Sequence, residues 1–315
     1  MRDHYVVTGG AGFIGSAIVR SLLEEGAPRV VVVDSLVTGR ESNIEDVRAS
    51  IDFQKVDIRN YDEVAPLVRG AAVVFHEAAI PSVPRSIDEP EFTHDVNVNG
   101  TFTLLRAARA GEVRRLVYAA SSSAYGDSVV LPKTETMAPA PKSPYALHKL
   151  TGEYYVSVFA SVYGLDAVSL RYFNVFGPRQ DPGSPYSGVL SIFMNSVLRR
   201  CPPTIFGDGE QSRDFTYVED VAALNLKAAR APNVAGRVYN AGNGGRITLN
   251  QAWSLLQKLE SVQIPPRFSP PRPGDVRHSQ ADTTAAVRDL GHTPRFSFEE
   301  GLRRTLEWYR RESGL

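Results

Sequence analysis

Short apolar runs alternate with helix-periodic segments from the start of the chain. Tyr5-Val6-Val7-Thr8 is the first run, and 13–23 follows it with Ile14, Ile18 and Leu22 on one helical face. Runs at 29–33, 51–57, 73–79 and 116–121 repeat the strand pattern, with helical segments at 62–68 and 92–110 between them. A long helix is predicted over 144–163 and a strand over 167–172. Strands alternating with helices at this pitch predict an α/β fold, a doubly wound parallel sheet with right-handed crossovers.

After Gly177 the texture changes. The stretch 178–185 is loop-like, 189–199 is helical, and short strands at 204–206 and 237–241 interrupt further helices. The segment 264–273 holds five of the chain's 21 prolines, so it reads as an extended loop. The expected organisation is a first unit over 1–177 and a smaller α/β substrate-binding unit over 178–315, with the strand at Val238 able to rejoin the first sheet.

A length of 315 residues with 43% hydrophobic residues is ample for a sizeable core. Lys+Arg and Asp+Glu both number 35, which removes any general attraction to nucleic acid or an anionic membrane. The single cysteine, Cys201, excludes an intrachain disulfide framework and a cysteine-rich metal site. No run of about 18 apolar residues exists, and Met1-Arg2-Asp3-His4 leads straight into a strand rather than a signal peptide. A soluble cytoplasmic protein is expected, with no metal.

Thr8-Gly9-Gly10-Ala11-Gly12-Phe13-Ile14-Gly15 ends a strand and opens a helix. Glycines at 9, 12 and 15 permit the tight turn and let backbone approach a pyrophosphate, which the helix N-terminus then attracts. This is the fingerprint of a Rossmann dinucleotide site, with Phe13 and Ile14 opening its helix. Asp34 ends the second strand, where its carboxylate can accept from ribose hydroxyls and would repel a 2′-phosphate, so NAD is favoured over NADP. Asp57 and Ile58, closing the third strand, are placed beside the adenine.

Tyr145 and Lys149 are four residues apart and share one helix face. Ser121-Ser122-Ser123 ends an apolar strand upstream. A lysine ammonium beside the phenol would draw the Tyr145 pKa from about 10 toward neutrality, making it a general base, with Ser121 bonded to the reacting hydroxyl. Lys149 would also bond the nicotinamide ribose.

With these in order, the chain resembles the extended short-chain dehydrogenase/reductases, in their nucleotide-sugar epimerase branch. It resembles UDP-glucose 4-epimerases and, most closely, bacterial UDP-N-acetylglucosamine 4-epimerases. Besides the glycine loop and the Ser121, Tyr145, Lys149 group, the carriers are His76-Glu77-Ala78-Ala79, Val83-Pro84-Arg85-Ser86, Asn97-Val98-Asn99-Gly100-Thr101 and Leu170-Arg171-Tyr172-Phe173-Asn174. Gly207-Asp208-Gly209-Glu210-Gln211-Ser212-Arg213 and Arg272-Pro273-Gly274-Asp275 continue the likeness.

The resemblance implies that Ala78, Ala79, Asn97 and Phe173 line the cofactor. It places Asn174, Arg213 and Arg272 on the diphosphate, Asp275 on the nucleotide ribose, Phe206 against the uracil, and Ser122, Ser123 and Val189 around the substrate. Ser279 takes the place of a tyrosine that narrows the sugar pocket in UDP-glucose enzymes, so an acetamido sugar is expected to fit. Pro81 departs from the small flexible residue of the relatives.

The implied reaction is inversion at C4 through a 4-keto sugar. The positions after Ser121 are hydroxyls, so the acid and base that a 4,6-dehydratase needs and the glutamate of the decarboxylating branch are missing. A UDP-glucuronate 4-epimerase is the rival, with Arg85 and Arg179 as donors for its carboxylate; a non-catalytic nucleotide-sugar sensor is a third reading. Helices 92–110 and 144–163 are expected to pair across a two-fold axis as a homodimeric four-helix bundle, through Leu104, Leu105, Val156, Val158, Phe159 and Val162.

Overall fold

Val30–Val33 is four valines in a row, all buried, as a strand covered by helices on both faces requires. The computed structural model describes residues 4–181, 188–271 and 276–313. The chain runs β1 (Tyr5–Thr8), α1 (Phe13–Glu24), β2 (Val30–Val33), β3 (Asp52–Gln54), α2 (Tyr61–Val68), β4 (Val73–His76), α3 (Val83–Asp88) and α4 (Pro90–His94). Next come α5 (Thr101–Ala110), β5 (Arg115–Ser121), α6 (Pro144–Tyr163), β6 (Ala167–Tyr172), β7 (Asn174–Phe176), α7 (Val189–Leu198), β8 (Thr204–Phe206) and β9 (Ser212–Arg213). The rest is β10 (Phe215–Tyr217), α8 (Val218–Arg230), β11 (Val238–Ala241), β12 (Ile247–Thr248), α9 (Leu249–Leu259), β13 (Arg267–Ser269), α10 (Thr284–Leu290) and α11 (Phe298–Ser313).

Seven parallel strands form the main sheet in the order β11-β6-β5-β4-β1-β2-β3. The winding reverses between β1 and β4, and the carboxyl ends on either side of that reversal open a crevice. One apolar layer packs Ile18, Leu22 and Leu224 of α1 and α8 on the sheet, and the other packs Val64, Leu104 and Phe159 of α2, α5 and α6. A separate core joins Phe193, Trp253 and Leu302 of α7, α9 and α11.

Two expectations about these helices need correction. The stretch 92–110 is not one helix: a π-helical turn at Asp95–Gly100 separates α4 from α5. There Asn97 turns its amide onto Ile80, accepting its N–H at 2.7 Å and donating to its carbonyl at 3.2 Å, and a widened turn accommodates that reach. Leu104, Leu105, Val156 and Phe159 are also unavailable to a partner, being 0%, 0%, 1% and 3% exposed inside the monomer's own core. Their helices each meet both the sheet and one another, so apolar residues spread beyond one face without any second chain.

An ion pair buried on both sides fixes α6 to β6. Arg171 donates to the two carboxylate oxygens of Glu153 at 2.8 and 2.6 Å, and each side chain is 3% exposed. Glu153→Ala would strand the guanidinium and is expected to cost about 3–5 kcal/mol in denaturant unfolding. A loss below about 1 kcal/mol, the level of an exposed pair, would contradict this.

Candidate active site

The carboxyl ends of β1, β2, β4, β5 and β6 open into one cleft of about 1140 Å³. Its floor at one end is the β1–α1 turn. Gly9 has φ +70° there, and a Cβ on it would lie 2.6 Å from the Ala78 nitrogen. A Cβ on Gly15 would lie 2.2 Å from the Gly9 carbonyl oxygen. Only glycine fits either position. Gly12 caps α1 with no side-chain hydrogen bond, so the first N–H groups of the helix face a cleft that Gly12, Phe13 and Ile14 line. That is a cradle for phosphate oxygens.

Asp34 follows β2, and its carboxylate accepts the N–H of Ala11 at 3.0 Å and of Leu36 at 2.8 Å. Burial pushes its carboxyl upward against those two bonds. The remaining lone pairs are available to a ribose. Asp57 and Ile58 also line the cleft. The Asp57 carboxylate, however, grips the Arg59 guanidinium at 2.7 Å, which holds it below the usual carboxylate range. Ala78 and Ala79 form a wall and Phe173 lies below, whereas Asn97 stands behind the wall as the strut for Ile80.

Ser121, Tyr145 and Lys149 meet in the middle of the cleft. Ser143 caps α6 by accepting the Ala146 N–H at 3.2 Å, with Pro144 in the first turn. Ser86 accepts the Tyr145 N–H at 3.0 Å. The Ser121 hydroxyl receives the Ser123 N–H at 3.2 Å and the Ser123 hydroxyl at 2.8 Å. The Lys149 ammonium, 5% exposed, donates to the Ala119 carbonyl at 2.7 Å and lies 5.2 Å above the Tyr118 ring.

The electrostatics differ from the expectation that Lys149 brings Tyr145 toward neutrality. Burial pushes the Tyr145 phenol up to about 12, partly offset by the Ser121 hydrogen bond and reinforced by the Glu77 carboxylate. Burial likewise pushes Lys149 down to about 8, and Glu77 opposes that fall. Desolvation outweighs the neighbour in both. A phenolate here therefore needs further positive charge in the cleft, such as a nicotinamide ring carries.

Asn174, Arg213, Ser122, Ser123 and Ser279 line the other end. Ser279 is pinned: its N–H donates to the Ser212 carbonyl at 3.0 Å, and its hydroxyl donates to Asn174 Oδ1 at 3.4 Å. The loop holding it is fastened by buried Asp214, whose carboxylate accepts the N–H groups of Asn243, Gly244 and Ala281 at 2.8, 2.9 and 3.0 Å. Val189 starts α7 and Phe206 ends β8, both outside the lining residues. Arg272 and Asp275 lie outside the described residues. Glu77 stood within His76-Glu77-Ala78-Ala79 with no role assigned to it, although it also lines the cleft; the signal for a role was a carboxylate at a strand's carboxyl end. Among the described residues no cluster of metal ligands occurs.

Residues 5–242 match the family described as NAD dependent epimerase/dehydratase. The chain is 38% identical to the UDP-glucose 4-epimerase of Mycolicibacterium smegmatis, over 98% of this chain and 99% of that one. It is similar in structure to the UDP-glucose 4-epimerase of Thermotoga maritima solved with UDP-glucose, at TM-score 0.93 and 39% identity over 98% and 99% of the two chains. It is also similar to the UDP-N-acetylglucosamine 4-epimerase of Methanobrevibacter ruminantium solved with UDP-N-acetylmuramic acid, at TM-score 0.94 and 36% identity over 99% and 100%.

The glycine cradle and Asp34 fit NAD. Asp34→Asn removes the charge and keeps an acceptor for one of the two N–H groups of Ala11 and Leu36, and is expected to raise NADP affinity relative to NAD by about tenfold, roughly 1.4 kcal/mol. An unchanged ratio by calorimetry would place the ribose elsewhere.

Proposed function

The chain belongs to the NAD-dependent epimerase/dehydratase family, and from that premise we propose that it inverts C4 of UDP-sugars. The substrates proposed are UDP-N-acetylglucosamine and UDP-N-acetylgalactosamine, with UDP-glucose and UDP-galactose accepted at some level. The observation that carries this is the meeting of Ser121, Tyr145 and Lys149 in a cleft whose other end holds Arg213, Asn174 and Ser279. We take 1–177 as the cofactor half and 178–315 as mainly the sugar-nucleotide half.

NAD, when bound over the glycine turn and Asp34, would supply the hydride acceptor and donor for C4. Tyr145 takes the proton of the C4 hydroxyl, Ser121 orients that hydroxyl, and Lys149 holds a positive charge beside the phenolate. Arg213 and Asn174 hold the diphosphate while the 4-keto sugar turns its other face to the cofactor. Tyr145 then returns the proton. Nothing in Ser122 or Ser123 can remove water from the sugar, which keeps the chemistry at C4. The glucuronate reading is less favoured, because Arg85 is paired with Glu89 and stacked 5.0 Å from Phe92, and Arg179 is paired with Asp46 at 3.1 Å.

We also propose a homodimer, through a face other than the buried one. Leu147, Tyr154, Val158 and Val162 form a stripe along α6 at 52%, 54%, 46% and 66% exposure, with Phe102 of α5 beside it at 37%. Such a stripe of large apolar residues marks an interface. A dimer mass in light scattering at micromolar concentration is expected; a monomer mass would contradict it.

Tyr145→Phe removes the acid–base oxygen and is expected to lower kcat at least about a hundredfold with NAD still bound. Near-normal turnover would show that another group moves the proton.

For the sugar, Ser279→Tyr is expected to abolish turnover of the acetamido sugars while keeping that of UDP-galactose, since a phenol refills the space beside Asn174. If the wild type ignores acetamido sugars, or the variant treats both alike, the wall is set by Pro81, which lines the same cleft.

A further inference from the structure

Glu77 is not part of the chemistry derived above, yet it is held with more care than a filler needs. It follows β4 directly and lines the cleft. The Tyr172 hydroxyl of β6 donates to its carboxylate at 2.7 Å. Tyr172 in turn accepts from the Asn225 amide of α8 at 2.8 Å, and that amide also donates to the Val221 carbonyl at 2.9 Å. A chain of bonds thus crosses from α8 through β6 to fix one carboxylate.

We propose that Glu77 is a positioning residue that sets the proton balance of the Tyr145–Lys149 pair by serving as the counter-charge of the Lys149 ammonium. This role rests on the epimerase reading. Among the described residues, the titratable groups beside Glu77 include no second cation. From α6 come Lys149 and Tyr145, from β5 Tyr118, and from β6 Tyr172. Burial pushes the Tyr118 and Tyr172 phenols up, so both stay neutral. His76, next to it on β4, is turned onto Thr8 and Thr101 at 2.8 and 2.9 Å, and burial and the Lys149 charge push it down to about 3, so it is neutral too. Glu153, which also acts on Tyr118, is paired with Arg171.

Burial pushes the Glu77 carboxyl well above the usual carboxylate range, against the pull of Tyr172 and Lys149. When ionised it favours the Lys149 ammonium and disfavours the Tyr145 phenolate. Removing its charge should therefore let both Tyr145 and Lys149 lose their protons at lower pH.

The test is Glu77→Gln, which keeps an acceptor for Tyr172. The phenolate absorbance of the NAD-bound protein, taken as the difference from the same protein carrying Tyr145→Phe, is followed against pH. Its midpoint is expected to fall by on the order of one pH unit, and the pH profile of turnover to move the same way. Tyr172→Phe, which withdraws the bond favouring the ionised carboxylate, is expected to lower the midpoint in the neutral range, and it carries the test if Glu77→Gln does not fold. A folded variant with an unmoved midpoint, even with reduced kcat, would overturn the proposal. The titration uses no sugar, so a shifted midpoint in a protein that epimerises no UDP-sugar would sink the functional reading and leave the role of Glu77 standing.

Discussion

A buried charged amine lining the cleft is the constraint around which the site is arranged. Taking an ammonium out of water costs several kcal/mol unless it is bonded and neutralised. Lys149 meets that cost with the Ala119 carbonyl at 2.7 Å, the Tyr118 ring and the Glu77 carboxylate. The first two partners, both on β5, demand that α6 sit close on that strand. Tyr118 donates to the Lys149 carbonyl at 3.3 Å, and a Cβ on Gly152 would come within 2.2 Å of the Tyr118 hydroxyl. The same close seat carries Tyr145 to Ser121.

The cofactor end obeys a parallel rule of close approach. Gly9 touches the backbone of Glu77 and Ala78, so the phosphate turn and the strand that presents Glu77 are one packed unit. At the sugar end the unit is Asp214, fully buried, whose carboxylate ties the loop carrying Ser279, through Ala281, to the turn at Asn243 and Gly244. Because β11 pairs with β6 in the main sheet, the Asn243–Gly244 turn that follows it and bonds Asp214 is tied to the strand that ends at Tyr172.

What was legible in the sequence was local periodicity and motif order. The strands Tyr5–Thr8 and Ala167–Tyr172 and the helix Pro144–Tyr163 lie where the pattern placed them, each bounded by strong signals such as Ser143-Pro144 and Gly164. Periodicity misled where one helix has two neighbours, so Leu104 and Phe159 read as partner-facing although both are core. It also missed the break at Asp95–Gly100, because Asn97 acts on Ile80 across the fold. Adjacency of Tyr145 and Lys149 was visible, but desolvation was not, and desolvation sets both of their proton affinities. The role of Glu77 stayed unseen because its partner Tyr172 is distant in sequence.

On the proposed mechanism one cleft oxidises C4 and reduces it again before releasing the sugar. A UDP-sugar carrying deuterium at C4 tests it most directly. On the proposed mechanism the C4 epimer retains the deuterium, with no exchange into solvent, since hydride would leave and return within one cleft while only the hydroxyl proton would pass through Tyr145. Product that has lost the C4 deuterium, or gained hydrogen from water at C4, would contradict the account.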